Sequence, residues 1–105
     1  MTITNYAFIV KGPGYDPNAH RSVIECPSFR TEVVCVSSVA EAISAARELV
    51  ARGIEVIELC GGFGEACAVD LISHLGSSVP VGHVVFSKSE SEKLAFVSQD
   101  KPAEQ

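Results

Sequence analysis

The sequence lacks several features that would assign a protein to a class. It contains no tryptophan and a single methionine, so a core must be built from aliphatic side chains and a few phenylalanines. No apolar run approaches the roughly 20 residues that cross a bilayer. The first residues have neither the basic start nor the apolar stretch of a secretion signal. We therefore expect a cytoplasmic protein that has no membrane partner.

The cysteines have no spacing that points to a metal or to redox chemistry. The sequence contains Cys26, Cys35, Cys60 and Cys67 but no Cys-x-x-Cys pair, which is the spacing typical of zinc sites and of redox-active disulfides. We expect reduced cysteines that pack as small apolar residues. We predict no metal site and no cofactor.

Positive charge is scarce and scattered. The net charge is −5, from 8 Lys and Arg against 13 Asp and Glu, and no basic patch interrupts it. A negative field repels the phosphates of nucleic acid, so we predict no nucleic-acid partner. With 105 residues, of which 47% are hydrophobic, the chain is a single globular domain by size and composition.

Apolar segments alternate with helical patterns along the chain. Four segments rich in apolar and β-branched residues are predicted strands, at 6–10, 31–36, 54–60 and 79–86. A first helix is predicted to begin at Asp16-Pro17, an N-cap followed by proline, and to end at Cys26-Pro27. The second begins after the capping box of Ser38 and Glu41 and covers 39–52 as the longest helix. A third follows Gly64 and ends at Gly76.

This order predicts the fold class. We predict a small α/β domain over 1–87, with a four-stranded, mostly parallel sheet in the order 2-1-3-4 and helices on both faces. The alternative is half of a curled (β/α)₈ barrel, completed by a partner chain. Residues 88–105 are predicted to be a polar tail, with 94–97 as an optional edge strand. Because so small a sheet leaves its edges open, we expect a homodimer.

Two glycine-rich loops follow the first and third predicted strands. In the predicted order these strands are neighbours, and ligands of open α/β sheets bind where the strand order reverses. We therefore predict a small-molecule site here, although Gly-Gly-x-Gly matches neither the phosphate loop nor the dinucleotide fingerprint. The candidate ligand-binding residues are Lys11, Gly12, Tyr15, Gly61, Gly62, Phe63 and Gly64, with His20 and Arg21 at the rim.

Three residues near these loops are candidate catalytic groups. Strand alternation places Glu58 on the same face as Cys60 and beneath the glycine loop. A buried carboxylate there is either an acid–base group with a raised pKa or one half of a structural ion pair. Cys60 precedes a helix N-terminus, which favours a thiolate, although a packed thiol is the simpler interpretation. His83 lies in the neighbouring strand, from which it could face the same crevice.

Several of these segments together resemble a known family. Tyr6–Val10, Gly14-Tyr-Asp-Pro17, His20-Arg21, the Glu-Leu-Cys-Gly-Gly-Phe-Gly segment at 58–64 and Val79–Gly82 are similar to a small bacterial α/β family. That family has no assigned function. The resemblance extends to about Phe86 and implies a single domain, but it implies no activity, cofactor or catalytic residue.

Two classes of function remain. The first is small-molecule binding at the carboxyl ends of strands 1 and 3, or a small enzyme there that uses Glu58 as acid or base. The second is a homo-oligomeric structural or interaction module in which the glycines serve only close packing. A concave, partly polar cavity beside Gly61–Gly64 favours the first class, and filled space favours the second.

Overall fold

The computed structural model describes residues 2–99, which form a five-stranded mixed sheet and three α-helices. The strands pair in the order β2-β3-β1-β4-β5. A short 3₁₀ turn, Gly61–Phe63, precedes the second helix. The strands are β1 Asn5–Lys11, β2 Arg21–Cys26, β3 Phe29–Val36, β4 Val56–Leu59 and β5 Val81–His83. The helices are α1 Val39–Ala51, α2 Gly64–Leu75 and α3 Lys88–Gln99.

The four predicted strands are present and pair in the predicted order. β3, β1, β4 and β5 are all parallel, although β4 and β5 are shorter than predicted. A half-barrel would keep these strands in chain order, so that alternative is wrong. The predicted count of four is also wrong, because β2 adds an antiparallel strand at the edge beside β3.

The predicted first helix is this additional strand. Asp16 does begin a turn, since its carbonyl accepts hydrogen bonds from the N–H groups of Ala19 and His20. The chain leaves this turn at once, because Arg21–Cys26 pairs with Phe29–Val36 across a two-residue connection. The hairpin therefore overrides the local capping signal, and the apolar Val23 and Ile24 that suggested a helix lie exposed on an edge strand.

The prediction of helices on both faces is wrong for the same reason. Helix α1 connects β3 to β4, and α2 connects β4 to β5. Both connections run in the same direction across the sheet, so right-handed crossovers place both helices on one face, where they pack together. The connection that was expected to cover the other face is the strand β2 instead. We call the two sides the covered face and the open face.

The core fills the covered face. Leu49 of α1 and Leu71 of α2 are fully buried against the strands. The strand residues of this layer are Ala7, Ile9, Val34, Val36, Ile57 and Leu59. Residues of opposite alternation form the open face, and they are Tyr6, Phe8, Val10, Ser22, Ile24, Cys26, Phe29, Thr31, Val33, Cys35, Val56, Glu58 and Gly82.

Helix α1 is the longest helix, as predicted, with 13 residues. The Ser38 hydroxyl accepts from the Glu41 N–H at 3.1 Å. The Glu41 carboxylate bonds the N–H of Ser37 at 2.8 Å, one residue earlier than a capping box would place it. Gly53 follows the helix with φ of +94°, a conformation that glycine adopts without strain.

Residues 88–99 form a helix, so the predicted edge strand at 94–97 is wrong. The segment contains two Lys, two Glu, one Leu, one Ala and one Gln, which are good helix formers. Its first turn closes with a bond from Ser91 N–H to the Ser87 carbonyl at 2.8 Å. Residues 100–105 of the predicted tail lie outside the described residues. Within residues 2–99, no helix is long and apolar enough to cross a membrane.

Candidate functional site

The two glycine-rich loops meet at the carboxyl ends of β1 and β4, as predicted. The Lys11 N–H donates to Cys60 Sγ at 3.2 Å, and the Cys60 N–H donates to the Ile9 carbonyl at 3.0 Å. The Gly12 N–H donates to the Val36 carbonyl of β3 at 2.9 Å. These three backbone N–H groups at the carboxyl edge are therefore already hydrogen-bonded within the protein.

Close packing fills the space beside Gly62 in the second loop, whereas a Cβ atom on Gly64 would meet no atom within 4 Å. A Cβ atom on Gly62 would lie 3.1 Å from the Lys11 carbonyl oxygen and 3.3 Å from Cys60 Sγ. Phe63 is only 4% exposed and belongs to the core, so its ring packs under the loop. Gly64 has φ of +72°, which turns the chain into α2. By the criterion set from the sequence, this packing favours the interaction module.

Three cavities lie away from this loop. One, of about 240 Å³, lies between the 16–21 segment and α1, and its lining includes Arg21, Ser44 and Glu48. The other two, of about 500 and 400 Å³, lie at the amino end of the sheet, next to Arg30 and Ile54 respectively. All three are shallow depressions that are open to solvent.

Residues of the first loop form a compact cap on the end of β1. A Cβ on Gly12 would lie 3.0 Å from the Tyr15 ring, and the rings of Tyr15 and His20 are 5.4 Å apart. The Asp16 N–H donates to His20 Nδ1 at 2.9 Å, so the neutral imidazole carries its proton on Nε2. Arg21 points elsewhere, toward Glu32 on the covered face.

The three candidate catalytic residues are not brought together. Glu58 is exposed on the open face, so its predicted burial is wrong, because the helix expected to cover that face is a strand. Cys60 is half-buried and bonded to the Lys11 N–H. His83 pairs in register with Leu59 and therefore lies on the covered side. Within residues 2–99, no three His, Cys, Asp or Glu side chains form a group that could hold a metal ion.

Glu58 has a close partner on the open face. The Tyr6 hydroxyl donates to Glu58 Oε1 at 2.6 Å. Burial of the Tyr6 side chain and this hydrogen bond to Glu58 raise the pKa of Tyr6 to about 12. The pair is therefore a neutral phenol bonded to a carboxylate, and Tyr6 also stacks on Phe29 with ring centroids 6.2 Å apart.

A buried carboxylate on the covered face was not predicted from the sequence. Glu32 is 3% exposed, and its oxygens contact Arg21 at 2.7 Å, Arg52 at 3.0 Å and Arg30 at 3.2 Å. Burial raises the pKa of Glu32, but the hydrogen bonds and charges of the three arginines outweigh burial and lower it to about 2. The sequence did contain a signal, because Glu32 lies two residues before the apolar Val34 and therefore on the same face of the strand.

The second missed feature is the open face itself. The β1 and β3 side chains on this face are only half-buried, and Ile24 of β2 is 67% exposed. Parallel strands are almost always covered on both faces, so an apolar and uncovered face is unusual. The signal was present in Tyr6–Val10, which is apolar at every position and therefore on both faces.

Comparison with known proteins gives one match. The model of a family described as "Family of unknown function (DUF6506)" matches residues 4–99, which confirms the predicted resemblance to a small family of unknown function. The match extends beyond residue 87 and includes α3. No curated protein and no solved structure matches the chain.

Proposed function

The chain belongs to the DUF6506 family of unknown function, and we propose that it acts as a homodimeric interaction module whose open face binds a second copy. The observation that carries the proposal is the largely apolar and only half-buried open face of a mostly parallel sheet. Burying such a face removes apolar surface from water, which is the main favourable term in protein association. The module would therefore be complete only as an assembly.

The size of the open face suits an interface. Five strands about 4.8 Å apart, three to eight residues long and five to six on average, at about 3.3 Å per residue give a flat area of about 20 Å by 20 Å. That is on the order of 400 Å² for each copy, as large as the largest apolar patches of ordinary monomers. Such patches often mark binding sites.

The chemistry of the open face suits a second copy of the chain. Homodimer interfaces are more apolar than transient ones, and they are depleted in charge at the centre. Of the open-face residues defined above, Glu58 alone carries a charge, and Tyr6 already donates a hydrogen bond to it. A two-fold axis would make the contact reciprocal, so that each copy covers the open face of the other.

A charge placed on the open face tests this proposal. Val33 lies on this face in β3, the strand between β1 and β2. Val33→Lys should convert the dimer to a folded monomer, because a lysine buried between two copies has no partner. Ile72→Lys is the matched control, since Ile72 is an exposed apolar residue of α2. Light scattering at micromolar concentration should give a dimer for the control. Two variants of equal mass would contradict the proposal.

A second candidate is binding of a small molecule at the carboxyl ends of β1 and β4. It is favoured by the cap on β1, where the Tyr15 and His20 rings lie 5.4 Å apart and carry polar atoms that suit a polar ligand. A thermal-shift screen against metabolites tests it, because a ligand that binds only the native state raises the midpoint. The increase should disappear in His20→Ala. No observation favours an enzyme that uses Glu58.

The compartment is also part of this proposal. Cys26, Cys35, Cys60 and Cys67 are all free thiols, which suits a reducing environment. We therefore propose a cytoplasmic location. Labelling of the four thiols in freshly lysed cells would test it.

A further inference from the structure

We infer that α3 of the second copy supplies the layer that the open face lacks, so that two copies exchange their carboxyl-terminal helices. The inference rests on the proposed self-association and specifies the element that makes the contact. The sheet of each copy would be covered by its own α1 and α2 on one face and by the partner's α3 on the other.

Helix α3 stands away from its own domain. The core cluster contains no residue of this helix within 2–99, and its apolar side chains Leu94, Phe96 and Val97 are 48%, 64% and 51% exposed. The radius of gyration is 14.8 Å, compared with about 13 Å for a compact domain of this length. The apolar surface of α3 therefore lacks a cover, just as the open face does.

The direction of α3 is fixed where the helix begins. The Val84 N–H donates to the Leu59 carbonyl at 2.9 Å, and the Phe86 ring lies close to Gly61, 3.5 Å from where a Cβ would stand. Ser91 then bonds back to the Ser87 and Phe86 carbonyls. The Val84 and Phe86 contacts hold the segment before α3 against β4 and the second glycine loop.

The distribution of apolar residues along α3 fits an exchanged arm. The first half, residues 88–93, contains only Lys, Ser and Glu, whereas the apolar residues lie at 94–97. A helix that covered its own sheet would need apolar residues along most of its length. A polar base and an apolar tip are expected when the base crosses solvent and the tip reaches a second copy.

The dimensions agree with this arrangement. A helix of 12 residues is about 18 Å long, which is nearly the width of the five-stranded sheet estimated above. The open face alone provides on the order of 400 Å², about half of the roughly 800 Å² per partner in a standard stable interface. Two reciprocal arms would provide much of the remainder.

Substitutions at the tip of the arm test the inference in the full chain. Leu94→Gln combined with Val97→Gln removes apolar surface at positions three residues apart, in a residue type that favours helix. The dimer dissociation constant should rise on the order of 30-fold, because both side chains lose their burial on the partner. The matched control is Val69→Gln with Ile72→Gln, an exposed pair of the same spacing on α2, which should leave the constant unchanged.

The outcomes separate this inference from the proposed function. If the unmodified chain is a monomer, the proposed self-association fails. If the arm variant dimerises like the control while Val33→Lys does not, the open faces pair directly and only the helix exchange is overturned. NMR of a mixture of ¹³C-labelled and unlabelled copies shows whether the α3 that lies on an open face belongs to the same copy or to its partner. Intermolecular NOEs from the Leu94 methyl groups to the Phe8 ring support the exchange, whereas the same NOEs within one copy overturn it.

Discussion

The two faces of the sheet are built from the same strands, but helices α1 and α2 cover only one of them. On the covered face, Ile9, Ile57 and Leu59 are fully buried, and the one buried carboxylate, Glu32, has three arginines within 3.2 Å. On the open face, apolar residues of the same strands remain only half-buried, and the carboxylate of Glu58 accepts one hydrogen bond, from the Tyr6 phenol. The chain therefore buries the apolar side chains of these strands completely on one side only, which is the basis of our proposal that a second copy covers the other side.

The largest expected difference between the faces is in their carboxylates. Glu32→Gln should lower the free energy of unfolding by about 3 kcal/mol, because it leaves three guanidinium groups without their shared anion. Glu58→Gln, the same change on the open face, should cost less than about 1 kcal/mol, since it removes one hydrogen bond. Urea denaturation at one fixed protein concentration measures both. Equal losses would show that the two faces do not differ as described.

Acid should weaken the covered face. The hydrogen bonds and charges of the three arginines lower the pKa of the Glu32 carboxyl from its ordinary value of 4.5 to about 2. Its contribution is fully present above pH 4.5 and is lost as pH falls toward 2, by an amount on the order of 3 kcal/mol. Denaturation at a series of acid pH values should show this decline, and Glu32→Gln should reduce its slope. An unchanged slope in the variant would assign acid sensitivity to other carboxylates.

Alkali should weaken the open face. The pKa of Tyr6 rises from 10.0 to about 12 on folding, so its contribution is complete below pH 10 and is lost as pH rises through 12. Tyr6→Phe should remove this alkaline decline and leave the acid limb intact. An acid decline that depends on Glu32 and an alkaline decline that depends on Tyr6 would assign one titrating group to each face.

A smaller effect than at Glu32 is expected at the second glycine loop, at the carboxyl end of β4. Gly62→Ala should cost on the order of 1 kcal/mol, because its methyl group would lie 3.1 Å from the Lys11 carbonyl oxygen and overpacking requires a small backbone shift. Gly61→Ala is the control, since its methyl group would make an ordinary 3.5 Å contact with the Phe86 ring. Thermal midpoints of the two variants that coincide would contradict the packing role of Gly62.

The sequence was sufficient for the parts of the fold that local patterns control. The apolar run Tyr6–Val10, the capping serine Ser38 and the glycine Gly76 each predicted an element that the structure contains. The order of the parallel strands followed from short connections and right-handed crossovers.

Long-range contacts account for what could not be predicted. The capping signal at Asp16 was real but was overridden by the pairing of 21–26 with β3. Because 21–26 forms a strand and not a helix, no helix from this segment covers the open face, and Glu58 is exposed. The Glu32 cluster draws its arginines from β2, β3 and the end of α1, which approach one another only in the folded chain.

Sedimentation equilibrium of the unmodified chain at micromolar concentration tests the central claim most directly, because it measures whether the open face finds a second copy without any substitution. The account predicts a mass of twice 11.1 kDa, with dissociation on dilution. A mass of 11.1 kDa throughout the micromolar range, from a sample folded by circular dichroism, would contradict it.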